Sequence, residues 1–128
     1  MSHEIDRTLE MLSWNNSEKI QIQGIEDAKK ITHLSILIQP LESKSIWENC
    51  AKVLASKSDQ ELERYLVSLF QWLQDMNWPG AYIIYDRLSL MPKHFLRIPY
   101  SISLKLATNT GDSAWKQSLE DFWRQLNL

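Results

Sequence analysis

The sequence predicts an all-α protein, and three observations lead to this prediction. Apolar residues recur at helical spacing in several separate segments, the longest of which runs from Ser58 to Leu73. Ser, Asn or Asp precedes several of these segments, as is typical of helix N-termini. The connections between them are short, which favours antiparallel packing of neighbouring helices. We expect six or seven helices, arranged as antiparallel hairpins that stack into a short α-α superhelix.

Length and composition indicate a single domain, residues 1–128. At 44% hydrophobic residues, the chain can bury one continuous core without disulfides or metal. The 14 basic and 16 acidic residues are scattered along the chain, so we expect no basic surface for a nucleic acid or an anionic membrane.

The sequence also predicts a cytoplasmic protein. No window approaches the roughly 18 apolar residues that span a bilayer. The first residues lack the basic and apolar pattern of a secretion signal. The single cysteine is compatible with a reducing compartment. We therefore expect a soluble protein of the cytoplasm.

Two helices are predicted in the N-terminal third of the chain. The first ends before Trp14 and has three apolar residues at helical spacing: Ile5, Leu9 and Leu12. The second helix is expected to begin at a cluster of capping residues, 14–17, in which Asn15 stands three positions before Glu18. One face of the second helix consists of Ile20, Gly24, Ile25, Ala28 and Ile31. Because glycine in a helix costs about 1 kcal/mol relative to alanine, Gly24 predicts close approach of a neighbouring backbone.

The segment 31–40 is ambiguous, because its leucines and isoleucines fit both a short strand and a helix. We expect the second helix to end there and an extended loop to follow. Ser45 and Glu48 have the spacing of a capping box at the start of a third helix. The broad apolar face of this helix consists of Ile46, Trp47, Cys50, Ala51, Val53 and Leu54.

The fourth helix has the clearest pattern in the chain. Ser58 and Glu61 repeat the capping box. An apolar stripe then follows the helical period without a break: Leu62, Tyr65, Leu66, Leu69, Trp72 and Leu73. We expect Trp72 to lie in the core because it belongs to this stripe.

A tryptophan-rich bend, residues 72–80, leads to a fifth helix. Asp75 is expected to accept a hydrogen bond from the backbone of Asn77 in an Asx-turn. Asn77 is expected to cap the fifth helix, with Pro79 in its first turn. This helix carries Ala81, Ile84, Tyr85 and Leu88 and ends at Pro92.

Two further helices are predicted in the last third. Pro99 interrupts the pattern of Phe95, Ile98 and Ile102, and residues 102–106 alternate as in a strand. We favour a helix that starts near Pro99 and ends at Gly111. Asp112 is expected to cap the last helix. Its stripe consists of Trp115, Leu119, Phe122, Trp123 and Leu126.

Four segments of the chain resemble a group of small bacterial proteins of unknown function with HEAT-type helical repeats. They are residues 39–40, 46–51, 72–80 and 112–116, and the most specific is the string Trp-Leu-Gln-Asp-Met-Asn-Trp-Pro at 72–79. The resemblance implies a HEAT-like helical fold and a bacterial cytoplasmic origin, but no activity. The tryptophans at 14, 47, 78 and 115 have intervals typical of two-helix repeats, although the residues around them do not align.

Residue types used in catalysis do not form a recognisable site. The three histidines lack metal-ligand spacing: His3, His33 and His94. Cys50 lies on an apolar face and is expected to be a buried, inert thiol. Glu61 and Glu63 are two residues apart and therefore point in different directions on a helix. Residues 75–77 resemble the start of a calcium loop but lack its glycine and distal glutamate. We predict no catalytic residue, cofactor or metal.

Two classes of function are compatible with the sequence. The first is a non-enzymatic protein-interaction module, acting as an adaptor, an inhibitor or the immunity partner of a toxin. Its candidate contacts form a polar ridge that ends in a tryptophan: Gln71, Gln74, Asp75 and Trp78. Trp78 fits both a core position and a surface anchor, since tryptophan is frequent in both. The second class is an enzyme or small-ligand binder with a site assembled from distant residues, such as Tyr85, Asp86, Arg87 and His94. The identity of the partner and the oligomeric state are left open.

Overall fold

The computed structural model describes residues 2–127, with side chains from Glu4 onward. Every regular element in this range is helical, which confirms the all-α class. The α-helices are α1 Ser2–Met11, α2 Glu18–Ala28, α3 Trp47–Ala55, α4 Asp59–Leu62, α5 Leu66–Gln71, α6 Ala81–Ser89, α7 Lys93–Asn109 and α8 Ser113–Leu126. Short 3₁₀ turns occupy Leu34–Leu37, Lys44–Ile46, Glu63–Tyr65 and Trp72–Gln74. Because a 3₁₀ turn joins α4 to α5, residues 2–127 form seven helices, as expected.

The helices stack around one hydrophobic core. α1 packs on α2, α2 on α3, and α3 on α6, while α7 packs against both α5 and α8. The turn Trp72–Gln74 contacts α5, α6 and α8 and so lies at the centre of the second half. The largest fully buried side chains are Leu12, Leu34, Leu37, Leu54, Leu62, Leu66, Leu69, Phe70, Trp72, Leu73, Ile84 and Phe122. No helix within residues 2–127 has the length and apolar character needed to cross a membrane.

Gly24 marks the contact between the first two helices, as predicted. A Cβ atom at this position would lie 2.8 Å from Met11 Cβ and 3.1 Å from the Met11 backbone carbon. The second helix begins at the predicted cluster of capping residues, where Ser17 caps α2 by accepting a hydrogen bond from the Ile20 N–H. The Asn15 N–H is used in the preceding turn, where it donates to Ser13 Oγ at 3.2 Å.

The segment before α3 differs from the predicted extended loop. It contains the 3₁₀ turn Leu34–Leu37, which buries both of its leucines. The predicted capping box at Ser45 is also wrong. Ser43 accepts a hydrogen bond from the Ser45 N–H, and the Ser45 hydroxyl bonds to Ser13 Oγ at 2.9 Å. The predicted apolar face of α3, residues 46–54, is confirmed as buried.

The capping box at the start of α4 is confirmed. The Glu61 N–H donates to Ser58 Oγ at 3.2 Å, and the Ser58 N–H donates to Glu61 Oε1 at 3.1 Å. The predicted continuous helix is interrupted by the 3₁₀ turn Glu63–Tyr65, although its apolar stripe is buried, with Tyr65 partly exposed. Apolar spacings of three and four residues occur in both helix types, so the pattern did not reveal the interruption.

The bend between α5 and α6 combines a correct prediction with a wrong one. Asp75 Oδ1 accepts a hydrogen bond from the Asn77 N–H at 2.8 Å, which confirms the Asx-turn. Asn77 does not cap α6, and Pro79 lies before its first turn, because α6 begins at Ala81 after Gly80. Gly80 has a φ of 84°, a left-handed conformation that glycine adopts at little cost.

These contacts predict different losses of stability when each of the two polar residues of the bend is replaced by alanine. Asp75→Ala should lower the free energy of unfolding by about 1 kcal/mol, because the Asn77 N–H loses its acceptor. Asn77→Ala should change it by less than about 0.5 kcal/mol, since its side chain has no hydrogen bond to another described residue. Chemical denaturation of both variants tests this, and a larger loss for Asn77→Ala would contradict it.

Helix α7 is longer than predicted. It begins at Lys93, so the expected start near Pro99 is wrong, and Pro99 lies inside the helix. Pro92 stands at the N-cap of α7, whereas α6 already ends at Ser89. The buried residues of α7 are Leu96, Ser103 and Ala107, whereas Ile98, Ile102 and Leu106 are exposed. Two of the three residues of α7 that face the core are therefore small, Ser103 and Ala107.

The junction of α7 and α8 follows the prediction. Gly111 has a φ of 70°, and its N–H donates to the Thr108 carbonyl at 3.2 Å. The Asp112 N–H donates to the Ala107 carbonyl at 2.9 Å, which completes a Schellman motif. Asp112 Oδ1 accepts a hydrogen bond from the Trp115 N–H at 3.0 Å and so caps α8. Three residues of the predicted stripe are buried: Trp115, Leu119 and Phe122. The other two, Trp123 and Leu126, are partly exposed.

Candidate functional site

Three tryptophans pack together at the bend between α5 and α6. The ring of Trp47 lies edge-to-face with Trp72 and with Trp78, at centroid distances of 6.0 and 5.7 Å. Trp72 is fully buried, as predicted, and its Nε1 donates to the Pro79 carbonyl at 2.9 Å. Trp78 is only partly buried. Lys44 Nζ lies 5.7 Å from the Trp47 ring centroid and 6.0 Å from that of Trp78. Trp78 thus packs on the core with one part of its ring and reaches the surface with another.

The four predicted contact residues have different environments. Gln71 and Gln74 are partly buried and line neither of the grooves described below. Asp75 is exposed, and its carboxylate takes part in the Asx-turn. Trp78 is the member of the set that lines a groove. The role of these residues in binding a partner stays a prediction.

Two adjoining surface grooves run along α6. The first holds about 330 Å³ and is lined by Trp78 and Tyr82, with Glu48 at its side. The second lies between α6 and α8 and holds about 500 Å³. Its walls include Tyr82 and Tyr85 from α6 and three polar residues from α8: Asp121, Arg124 and Gln125. Met76 and Tyr82 line both grooves. We call the surface formed by Trp78, Tyr82 and Tyr85 the aromatic face.

Tyr85 connects the aromatic face to α8. Its hydroxyl donates to Gln125 Oε1 at 2.7 Å, and its ring packs edge-to-face on Phe122 at a centroid distance of 5.1 Å. Burial raises the pKa of Tyr85, and the carboxylates of Asp121 and Asp86 raise it further. The hydroxyl therefore stays protonated at neutral pH and acts as a hydrogen-bonding group.

The charges beside the aromatic face are three carboxylates, of Glu48, Asp86 and Asp121, and two cations, of Lys44 and Arg124. Asp121 forms an ion pair with Arg124 at 2.9 Å. Asp86 and Glu48 are exposed, and neither forms an ion pair within residues 2–127. Exposed carboxylates without internal partners are available to a basic group on another molecule.

Of the four residues suggested for an enzyme or ligand site, the structure brings two together, Tyr85 and Asp86. Asp86 lines the α6–α8 groove with Tyr85. Arg87 instead points to the end of α3, where it donates to three acceptors: the carbonyls of Ala55 and Lys57 and Oδ1 of Asp59. This arrangement joins α6 to the α3–α4 connection and is structural. His94 is exposed on α7, with its ring 4.7 Å from that of Phe95, and does not line the groove.

Cys50 has the environment of a structural thiol. It is fully buried in the core. Burial, with a smaller contribution from the charge of Glu42, raises the pKa of Cys50 to about 12. Among the described residues, no three His, Cys, Asp or Glu side chains lie close enough to hold a metal ion. The side chain of His3 lies outside the described residues.

We expect Cys50 to react slowly in the folded protein. At about pH 8, a thiol reagent should label the native chain at least roughly 100-fold more slowly than the chain unfolded in guanidinium chloride, because only an exposed thiolate reacts quickly. Release of a chromophoric thiol from the reagent measures both rates. Equal rates before and after unfolding would show that Cys50 is accessible and would contradict its structural role.

Sequence reasoning did not find most of the groove residues. Tyr82 follows the buried Ala81 directly, and its exposure was not expected from any motif. On α8, residues 121, 124 and 125 have the spacing of one helix face. That spacing alone does not say which helix lies opposite. The pairing of this face with α6 depends on tertiary packing.

Comparison with curated proteins gives no match, and comparison with solved structures also gives none. A family model described as a domain of unknown function, DUF5071, matches residues 47–126. This range is more than half of the chain, includes α3 to α8 and contains the whole aromatic face. The chain therefore belongs to the DUF5071 family.

Proposed function

We propose that the protein is a non-enzymatic interaction module that binds another protein through the aromatic face. The observation that carries this proposal is the line of three partly exposed aromatic side chains, Trp78, Tyr82 and Tyr85, along two adjoining grooves. Tyr82 is 65% exposed. Trp and Tyr are enriched among the residues that contribute most to protein binding. Such a module can act as an adaptor, an inhibitor or the immunity partner of a toxin.

The charge beside the aromatic face favours a partner with basic residues. Asp86 and Glu48 lie at the two grooves without internal ion pairs. Lys or Arg side chains of a partner can pair with these carboxylates and stack on exposed rings. Lys44 already lies 6.0 Å from the Trp78 ring centroid, so Tyr82, which is 65% exposed, is the ring available to a cation of the partner. Gln71, Gln74 and Asp75 then belong to the rim of the contact.

An enzymatic function has less support from the same geometry. The α6–α8 groove contains Tyr85 and Asp86, which keeps a small-ligand site as the second candidate. However, the pKa of Tyr85 is raised, which is unfavourable for a general base at neutral pH. Arg87 is already bonded to the α3–α4 connection.

We also propose that the stacked hairpins are related to HEAT-type repeats and that the protein is bacterial and cytoplasmic. The support for this proposal is the resemblance of residues 39–40, 46–51, 72–80 and 112–116 to such proteins. The stacked, all-helical architecture is compatible with a repeat relationship.

Affinity capture followed by titration tests the proposed function. The wild-type chain should recover a saturable protein partner from its native lysate, and Tyr82→Ala should weaken the purified complex by at least about tenfold. Leu41→Ala is the control, because Leu41 is 98% exposed and lines neither groove of the aromatic face. Thermal melting confirms that both variants fold. Recovery of no saturable partner, or equal affinity for Tyr82→Ala and wild type, would contradict the proposal.

A further inference from the structure

Helix α7 has an apolar stripe on the side that faces away from the core. Ile98, Ile102 and Leu106 follow one another at intervals of four residues and are 73%, 44% and 37% exposed. The opposite side of α7 packs on α5 and α8. We call Ile98, Ile102 and Leu106 the outer stripe. Contiguous apolar side chains on an exposed helix face often mark an interaction site.

The charges along α7 have one sign. The helix contains Lys93, Arg97 and Lys105 and no Asp or Glu, although the whole chain has a net charge of −2. At 100° per residue, three exposed residues lie along one edge of the outer stripe: His94, Arg97 and Lys105. Neither Arg97 nor Lys105 forms an ion pair within residues 2–127. The basic edge therefore lacks acidic partners in this part of the chain.

A second copy of the chain does not complement this surface. If two α7 helices packed antiparallel about a twofold axis, the outer stripes would meet. Each basic edge would then face residues of an identical helix that contains no carboxylate. Such a pairing buries apolar area but forms no ion pair across the contact.

A membrane surface also fits poorly. The outer stripe presents three apolar side chains over a length of only about 12 Å, which is little apolar area for insertion between lipid headgroups. Glu120 and Arg124 of the adjacent α8 both act on Tyr100 of α7 and have opposite charges, so together they add no net charge beside the basic edge. Sites for anionic lipid typically contain about 4–8 clustered basic residues, whereas this edge supplies Arg97 and Lys105.

We propose that the outer stripe binds an amphipathic helix of another protein, with acidic residues beside its apolar face. The partner helix would cover Ile98, Ile102 and Leu106 and add one layer to the stack. Its carboxylates would pair with Arg97 and Lys105. This site is separate from the aromatic face, since none of these residues lines either groove along α6.

Two synthetic peptides test the proposal directly. Both are helices of about 18 residues with leucines at the i, i+3, i+4 and i+7 positions, and they differ only in having glutamates or lysines beside the leucines. The fluorescently labelled glutamate peptide should bind the full chain saturably, and the lysine peptide at least about tenfold more weakly. Binding of the glutamate peptide should also weaken as salt is added.

Variants of exposed residues locate the contact. Ile98→Glu should weaken binding of the glutamate peptide by at least about tenfold, and Lys105→Glu should weaken it and raise affinity for the lysine peptide. Leu41→Glu is the control and should bind both peptides as wild type does. Thermal melting checks that each variant folds.

Four results would overturn the proposal. The first is the absence of saturable binding of the glutamate peptide, and the second is equal binding of the two peptides. The third is tighter binding to anionic phospholipid vesicles, lost in Ile98→Glu, which would indicate a membrane contact. The fourth is a dimer in sedimentation analysis that Ile98→Glu converts to monomer, which would indicate self-association.

Discussion

Trp72→Ala is expected to lower the free energy of unfolding by about 3–5 kcal/mol, the largest single effect predicted for this protein. The Trp72 ring is completely buried where the turn Trp72–Gln74 contacts α5, α6 and α8. Its removal leaves a cavity beside Trp47 and takes the donor from the Pro79 carbonyl. Both changes act against the folded state, because surrounding side chains relax only partly into the space.

Denaturant unfolding of Trp72→Ala beside Trp72→Phe separates the two contributions. Phenylalanine keeps most of the apolar volume but cannot donate to the Pro79 carbonyl, so its cost should be roughly 1–2 kcal/mol. A single domain typically has only about 5–15 kcal/mol of stability, and the alanine variant should therefore melt at a much lower temperature. An unchanged melting temperature for Trp72→Ala would show that the indole lies at the surface and does not pack in the core.

Gly80→Ala should be the second most destabilising change, at about 2–5 kcal/mol. A non-glycine residue in the left-handed conformation costs about 1–2 kcal/mol, and forcing an extra methyl into a packed interior costs about 1–3 kcal/mol. Both terms apply here. Gly80 has a φ of 84°, and a Cβ atom at this position would lie 2.7 Å from Ala51 Cβ and 3.1 Å from the Trp47 carbonyl oxygen.

Gly111→Ala is a matched control for Gly80→Ala. Gly111 also has a positive φ, 70°, but no atom lies within 4 Å of the Cβ that an alanine would add. Gly111→Ala should therefore lose only the backbone contribution, about 1–2 kcal/mol. The difference between the two variants in denaturant unfolding measures how closely the bend packs on α3. Equal losses would mean that α3 and the bend are further apart than the structure shows.

The helical stripes were predictable because they depend on short-range periodicity. Residues 46–54 and 62–73 repeat apolar side chains at the spacing of one helix face, and the structure buries all of these except Tyr65, which is partly exposed. The capping box at Ser58 and the cap at Asp112 were also predictable, since each cap involves atoms only three residues apart. The Asx-turn of Asp75 spans two residues.

Predictions failed where several local patterns compete within a few residues. Ser43 and Ser45 are both suitable caps before α3. In the structure, the Ser45 hydroxyl is bonded to Ser13, 32 residues away along the chain. A contact between residues so far apart in the sequence cannot be predicted from a local pattern. The position of Pro99 inside α7 has a similar cause, because packing of α7 on α5 and α8 stabilises a helix that local propensity disfavours.

The same difference between short-range patterns and long-range contacts applies to the candidate site. The sequence by itself determined the all-helical class, most of the buried stripes and the burial of Trp72. Only the tertiary structure decided that Tyr85 lies against Gln125, 40 residues away, and that the stripe of Ile98, Ile102 and Leu106 faces outward. Hydrogen bonding and side-chain periodicity within a helix act over a few residues and can be read locally. Which helix faces meet depends on the packing of the whole core, because burial of one face leaves another exposed.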